Sequence, residues 1–210
     1  AARYPEKLAG LEKLWWAEAR RYGVLPLDDR TVTDPSFSTG QENPRSQYVF
    51  YPGRYHLEAG SDPDIVDRSF SIAASVTRAN DRVEGVLLAA GDRFGGYAMY
   101  IKDGKLVFDD NDFGRHIILR SQSEVPLGDS VVKYIFSRSA KFTGTGRLYI
   151  NGGEVASAEV RTTPTFSITW NGISVGRDSL SPVSDGYAGH GDFAFPTDAL
   201  HKVVVTLAPK

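Results

Sequence analysis

The chain has no cysteine, which excludes disulfides, thiolate zinc sites and cysteine nucleophiles in every compartment and leaves its own compartment open. It also lacks an excess of either charge. Lys and Arg total 24 against 26 Asp and Glu, a formal net charge of -2, so no broad basic field is available to attract a phosphate backbone and no nucleic-acid partner is expected. Long apolar runs are missing as well. The longest, such as 83–90, fall far short of the roughly 20 apolar residues that span a bilayer, so no membrane span is expected. The first residues, Ala-Ala-Arg-Tyr-Pro-Glu, have neither a basic segment nor an apolar one behind it, and read as an internal start rather than a signal peptide.

The marks of an active site are equally scarce. His56, His116, His190 and His201 are scattered, with no His-x-x-x-His pair and no Gly-x-Ser-x-Gly elbow. Asp109-Asp110-Asn111-Asp112 is dense in oxygen ligands but lacks the loop spacing and distal Glu of an EF-hand, and reads as a solvated turn after a hairpin. Asp62, Asp64 and Asp67 read as turn or capping residues. No metal site is expected. A glycosidase would need two acidic residues on one inner strand, and the interior-looking strands carry mainly Val, Ile, Leu, Phe and Tyr.

What is present is a globular composition, 41% hydrophobic and 11% aromatic over 210 residues, enough to bury a substantial core. Residues 5–22 read as one amphipathic helix, with Pro5 in its first turn and Leu8, Leu11, Leu14, Trp15 and Tyr22 near helical period. Arg20, Arg21 and Gly23 suit its C-terminus. Trp15 and Trp16 point about 100° apart around that helix, so one of them calls for a separate partner. Residues 24–52, rich in Pro, Asp, Ser, Thr and Asn, read as an irregular connecting segment.

Beyond residue 52 short β-branched and aromatic runs alternate with turns. Strands are predicted near 70–77, 83–90, 96–102, 105–109, 116–120, 131–137, 146–151, 154–161, 173–176 and 202–207. Asp103-Gly104 and Asn151-Gly152 mark tight hairpins, because both central residues of such a turn need positive φ. Arg93-Phe94-Gly95-Gly96-Tyr97 reads as the start of a strand, its glycines allowing close backbone approach. Ten antiparallel strands without alternating helices predict a mainly β fold: a two-sheet sandwich of the jelly-roll kind, concanavalin- or laminin-G-like, preceded by one helix. The expected division is 1–52, helix and connecting segment, and 53–210, sandwich.

The segment Pro5-Glu6-Lys7-Leu8, Leu11, Leu14-Trp15-Trp16-Ala17-Glu18-Ala19 and Tyr22 to Arg30 resembles the stretch that follows the catalytic core in bacterial arylsulfatases. Tyr51-Pro52-Gly53, Glu84-Gly85-Val86-Leu87, Gly91 to Tyr97 and Lys102 to Val107 look like the C-terminal β region of the same enzymes, so the resemblance covers nearly the whole chain. It implies a parent that hydrolyses sulfate esters with a formylglycine nucleophile beside calcium, both on the catalytic domain. The Cys/Ser-x-Pro-x-Arg motif that yields formylglycine is missing. Ser61-Asp62-Pro63-Asp64-Ile65 puts Ile65 where the arginine belongs, so no cofactor and no activity are expected of this chain alone.

The primary expectation is therefore a non-catalytic C-terminal domain that stabilises the catalytic sulfatase domain or frames its substrate, packing through Trp15, Trp16, Leu25 and Pro26. The alternative is a lectin-like carbohydrate-binding module, with Trp170, Asn171 and Tyr187 as the sugar platform and a sulfated substrate or another carbohydrate as ligand.

Overall fold

The computed structural model describes residues 3–25, 27, 45–53, 57, 63–161 and 171–209. The chain divides into two compact units, Ala1–Gln41 and Glu42–Lys210. In the first, α1 (Pro5–Arg21) opens with Pro5 and closes on Gly23, whose φ is 69°. The Val24 and Gly23 amides donate to the Ala19 and Arg20 carbonyls, satisfying two acceptors that the helix end leaves open. Leu8, Leu11, Leu14, Trp15 and Trp16 remain 40–57% exposed.

The second unit is the predicted sandwich. One sheet has six strands in the order β1 (Gln47–Phe50), β11 (Leu200–Leu207), β2 (Phe70–Arg78), β7 (Gly128–Ala140), β8 (Thr143–Ile150) and β9 (Gly153–Arg161). The other has five: β10 (Ile173–Val175), β3 (Gly85–Asp92), β4 (Gly95–Lys102), β5 (Lys105–Asp112) and β6 (Arg115–Glu124). Neighbouring strands pair antiparallel throughout. Asp103-Gly104 and Asn151-Gly152 turn with positive φ at both residues, as their chemistry predicts.

One expectation needs correction. Gln47–Phe50, assigned in sequence to an irregular segment, is an edge strand paired with β11, its Tyr48 and Phe50 buried in the core while Gln47 and Val49 stay outside. Four residues alternate too briefly to stand out from their Pro- and Ser-rich surroundings.

Between the sheets the Phe108 ring stacks on Tyr134 at 3.5 Å, among Ile72, Phe136, Met99, Ile101 and Leu148. A second apolar cluster lies on the other face of the five-stranded sheet. There Val86, Ala98, Tyr100 and Val107 meet Val183, Tyr187 and Phe193, supplied by residues 176–199, a strap across that face. This double cover explains why β3 is apolar or small almost throughout instead of alternating as β2 and β8 do.

Candidate functional site

The run Asp109 to Asp112 ends β5 and is no solvated turn, which corrects the sequence reading: Asp109, Asn111 and Asp112 are 0%, 2% and 8% exposed. Their alternation sends Asp109 and Asn111 to the strap and Asp110 and Asp112 inward between the sheets, continuing the pattern set by Val107 and Phe108. The isolated pattern of acids concealed this, because the turn begins only at Phe113-Gly114, with φ of 50° and 81°.

On the strap side Asp109 and Asn111 both have partners. The Asn111 amide donates to the Val183 and Arg93 carbonyls at 2.9 and 3.2 Å, and its oxygen accepts from the Gly114 amide at 2.8 Å. Asp109 accepts from the Ser184 hydroxyl at 2.5 Å and contacts His116 Nδ1 at 2.9 Å. Burial raises its pKa, against those two hydrogen bonds. Here the carboxylate stands between hydroxyl and imidazole, whereas an activated serine needs the imidazole next to it. Tyr187 donates to Asp178 at 2.5 Å, and burial leads in pushing Asp178 up to about 6, against the Tyr187 and Val183 hydrogen bonds.

On the inward side a cleft of about 620 Å³ opens between β6 and β9, the edge strands of the two sheets. Asp112, Arg115, Ile117, Phe142, Thr143, Glu159 and Arg161 line it. The Arg115 guanidinium holds Asp112 at 2.5 Å. Phe142 occupies the β7–β8 turn at φ 55°, where Asp67 fixes the backbone by accepting its amide at 2.8 Å while binding Arg138 through two nitrogens. Asp110, half-buried, lies directly across the strand pair from Ile117. Burial pushes it up to about 7, helped by the charges of Asp109 and Asp112 and opposed by His116.

Such a cleft falls in the size range of small-ligand sites, and it combines one aromatic ring with forked donors and carboxylate acceptors. The reading of the interior strands as mainly apolar missed β5, whose Asp110 and Asp112 face inward. Of the aromatic platform expected at Trp170, Asn171 and Tyr187, the Tyr187 part needs correction. Tyr187 is fully buried, stacked on Phe193 at 5.4 Å, and offers no face to a ligand. Asn171 is half-buried ahead of β10, and Trp170 lies outside the described residues. Of the interface residues, Trp15 and Trp16 are 46% and 43% exposed with rings packed edge to face at 4.9 Å, Leu25 is half-buried, and Pro26 lies outside the described residues. Among the described residues no three His, Cys, Asp or Glu side chains are grouped to hold a metal ion.

No family model matches the sequence, and no curated protein does either. Solved structures share the fold. A leech intramolecular trans-sialidase is 14% identical with a TM-score of 0.51, over 77% of this chain and 25% of the enzyme. The CBM40 of a Ruminococcus gnavus IT-sialidase is 13% identical, also at 0.51, over 77% of this chain and 90% of that module. Domains LG4-5 of the mouse laminin alpha1 chain align at 12% identity with a TM-score of 0.47, over 77% of this chain and 39% of theirs. This chain thus spans about a quarter of the leech enzyme's length.

Proposed function

We propose that this chain is a non-catalytic carbohydrate-binding module whose ligand occupies the cleft between β6 and β9. The observation that carries the reading is the cleft's lining. Sugar rings present apolar C–H faces to an aromatic side chain, here Phe142, and hydroxyl groups to forked donors and carboxylates, here Arg161, Arg115, Glu159 and Asp112. The fold shared with a sialidase's CBM40 supports it. The test is calorimetric titration of the full chain with neutral, sialylated and sulfated oligosaccharides. At least one class is expected to bind, with Phe142→Ala and Arg161→Ala each weakening it about tenfold, the effect of losing roughly 1.4 kcal/mol. Silence across the panel at millimolar ligand overturns the reading.

A second reading, compatible with the first, is favoured by the exposed stripe of Leu11, Leu14, Trp15 and Trp16 on α1: this face packs on the catalytic domain of a larger enzyme. The arylsulfatase resemblance names that enzyme as a sulfate ester hydrolase. Calcium and formylglycine would belong to its catalytic domain, since this chain has no cysteine to convert and no described ligand group. Mixing with a separately made catalytic domain tests this: the chain should raise that domain's stability or aryl sulfatase rate, and Trp15→Ser with Trp16→Ser should abolish the gain. Aryl sulfatase activity from the chain alone would refute the non-catalytic role.

A further inference from the structure

The turns at the two ends of the five-stranded sheet differ in character. At one end Asp103-Gly104 links β4 and β5. At the other, the β3–β4 turn carries Arg93-Phe94, the β5–β6 turn carries Phe113-Gly114, and the strap adds Leu180. Phe94, Phe113 and Leu180 are 58%, 58% and 76% exposed. One side chain gathers the three segments. The Asn111 amide donates to the Arg93 carbonyl at 3.2 Å and to the Val183 carbonyl at 2.9 Å, while its oxygen accepts from the Gly114 amide at 2.8 Å. The Arg93 amide also donates to the Ser181 hydroxyl oxygen at 3.4 Å, one residue from Leu180. The three apolar side chains therefore stand on neighbouring tips; scattered singly over the surface, they would need no explanation.

Two observations set these tips apart from incidental exposure. Phe113 and Leu180 hold φ of 50° and 71°, a region that bulky side chains rarely enter and that glycine or asparagine occupies with less strain. Each thus costs backbone strain and exposes apolar surface at once. The charge is also one-sided. The Arg93 guanidinium lies over the Phe94 ring, 4.7 Å from its centroid, Arg115 is 82% exposed just beyond Phe113-Gly114, and Lys141 stands exposed at the β7–β8 turn, beside the cleft residue Phe142. The acids of this end are drawn inward or paired. Asp92 is buried and accepts from the Phe94 amide at 2.7 Å, Asp112 is buried against Arg115, and Asp192 pairs with Arg177 at 3.1 Å. Glu159 lies on β9, the far wall of the cleft.

We propose that this end of the sandwich docks on the surface of an anionic lipid bilayer, with Phe94, Phe113 and Leu180 entering the boundary between headgroups and acyl chains while Arg93, Arg115 and Lys141 meet the anionic headgroups. Only hairpin and strap tips enter, and nothing spans the bilayer. Separate apolar tips with polar backbone between them suit a fluid surface, which admits each side chain on its own; a protein partner has to match the whole relief. The cations supply the complementary charge, each strengthening adsorption about fivefold close to an anionic surface. Salt screens that part of the attraction. Phe94, Phe113 and Leu180 are not part of the cleft wall, so this docking stands or falls apart from saccharide binding.

The experiment sediments the full chain with vesicles of phosphatidylcholine alone and of phosphatidylcholine with one-third phosphatidylserine. Binding to the anionic vesicles should be tenfold or more the stronger, and should weaken as salt is raised. Phe94→Ser with Leu180→Ser should weaken it at least tenfold, with saccharide affinity unchanged and the fold verified by circular dichroism and melting. Phe113→Asn should weaken it several-fold in a protein that melts no lower than the parent, which separates a lost lipid contact from lost folding. Arg93→Gln should cost about fivefold. No sedimentation with anionic vesicles, equal binding to neutral ones, or binding that survives the double variant overturns the proposal. If the surviving binding is lost in Trp15→Ser with Trp16→Ser, the lipid belongs to α1. If vesicles stay unbound while the double variant loses a separately made catalytic domain that the parent chain holds, the tips are a protein-docking face and the proposal falls.

Discussion

The two faces of β5 use the same residue types to opposite ends. On the strap face, Asp109 and Asn111 are sealed and each has its partners, so their polar groups act as fasteners for residues 176–199 and for the turns beside them. On the inward face, Asp110 is half-buried, and among the described residues no hydrogen bond or ion pair reaches its carboxyl. Burial raises the pKa of both Asp109 and Asp110, so the shift alone does not separate fastener from site. The hydrogen bonds do. A buried acid with its acceptors satisfied explains itself by architecture.

The comparison implies that strap-face substitutions cost stability and inward-face substitutions change binding. Asn111→Ala has the greatest predicted consequence. It leaves the buried Val183 carbonyl and the partly buried Arg93 carbonyl and Gly114 amide without their side-chain partner and releases three segments together. At about 1–3 kcal/mol for the buried carbonyl and less for the two groups that solvent can reach, a total loss of roughly 2–4 kcal/mol is expected by urea denaturation. A loss below about 1 kcal/mol would mean that the strap is held by its apolar contacts with Tyr100 and Val86 alone.

Ser184→Ala comes next. It removes one donor from Asp109 and an acceptor from the Gly186 amide, and should cost about 1–3 kcal/mol in the same assay while leaving saccharide affinity unchanged. A loss of affinity comparable to that of Arg161→Ala would place the site on the strap face instead.

Asp110→Asn should act in the reverse direction. The folded pKa of Asp110, about 7, stands above its unfolded value of 3.8, so the native protein holds this proton more tightly than the unfolded chain. Its stabilising contribution is complete below about pH 4, declines as pH rises, and is gone above pH 7. The asparagine variant, free of that penalty, should match the parent near pH 4 and exceed it by about 1–3 kcal/mol at pH 8, a figure reduced from the full shift because the carboxyl is partly hydrated. Melting curves across pH 4–8 check both the sign and the window. A variant less stable at pH 8 would mean that the carboxylate has a native partner after all.

Legibility in the sequence followed locality. All ten strands predicted beyond residue 52 are present, because alternation and the Asp-Gly and Asn-Gly turns are carried within a few residues. The helix and its glycine stop were legible for the same reason. The strap was not, since Val183, Tyr187 and Phe193 have no period and acquire their role only against Tyr100 and Val107, some eighty residues away. The cleft was hidden twice over. Its walls come from β5–β6, the β7–β8 turn and β9, distant in sequence, and the acidic end of β5 imitates a loop. The Tyr187 platform failed because an aromatic between glycines looks exposed until a buried partner such as Asp178 is known.

Phe113 tests the finest part of the contrast. The turn between β5 and β6 joins two cleft-lining residues, Asp112 and Arg115, yet at its first position, φ 50°, it carries a phenylalanine that is 58% exposed. In the two other hairpins whose turn residues both have positive φ, the equivalent positions are Asp103 and Asn151, types that tolerate this backbone region far better. Phe113→Asn relieves the strain and removes an exposed ring, so a gain of about 0.5–1 kcal/mol is expected, within reach of a careful melting comparison. Its effect on binding then decides why the ring is there. If Phe113 extends the aromatic rim begun by Phe142, the stabilised variant should bind saccharide several-fold more weakly; if affinity is unchanged, the rim ends at Phe142 and the ring serves no role in the cleft.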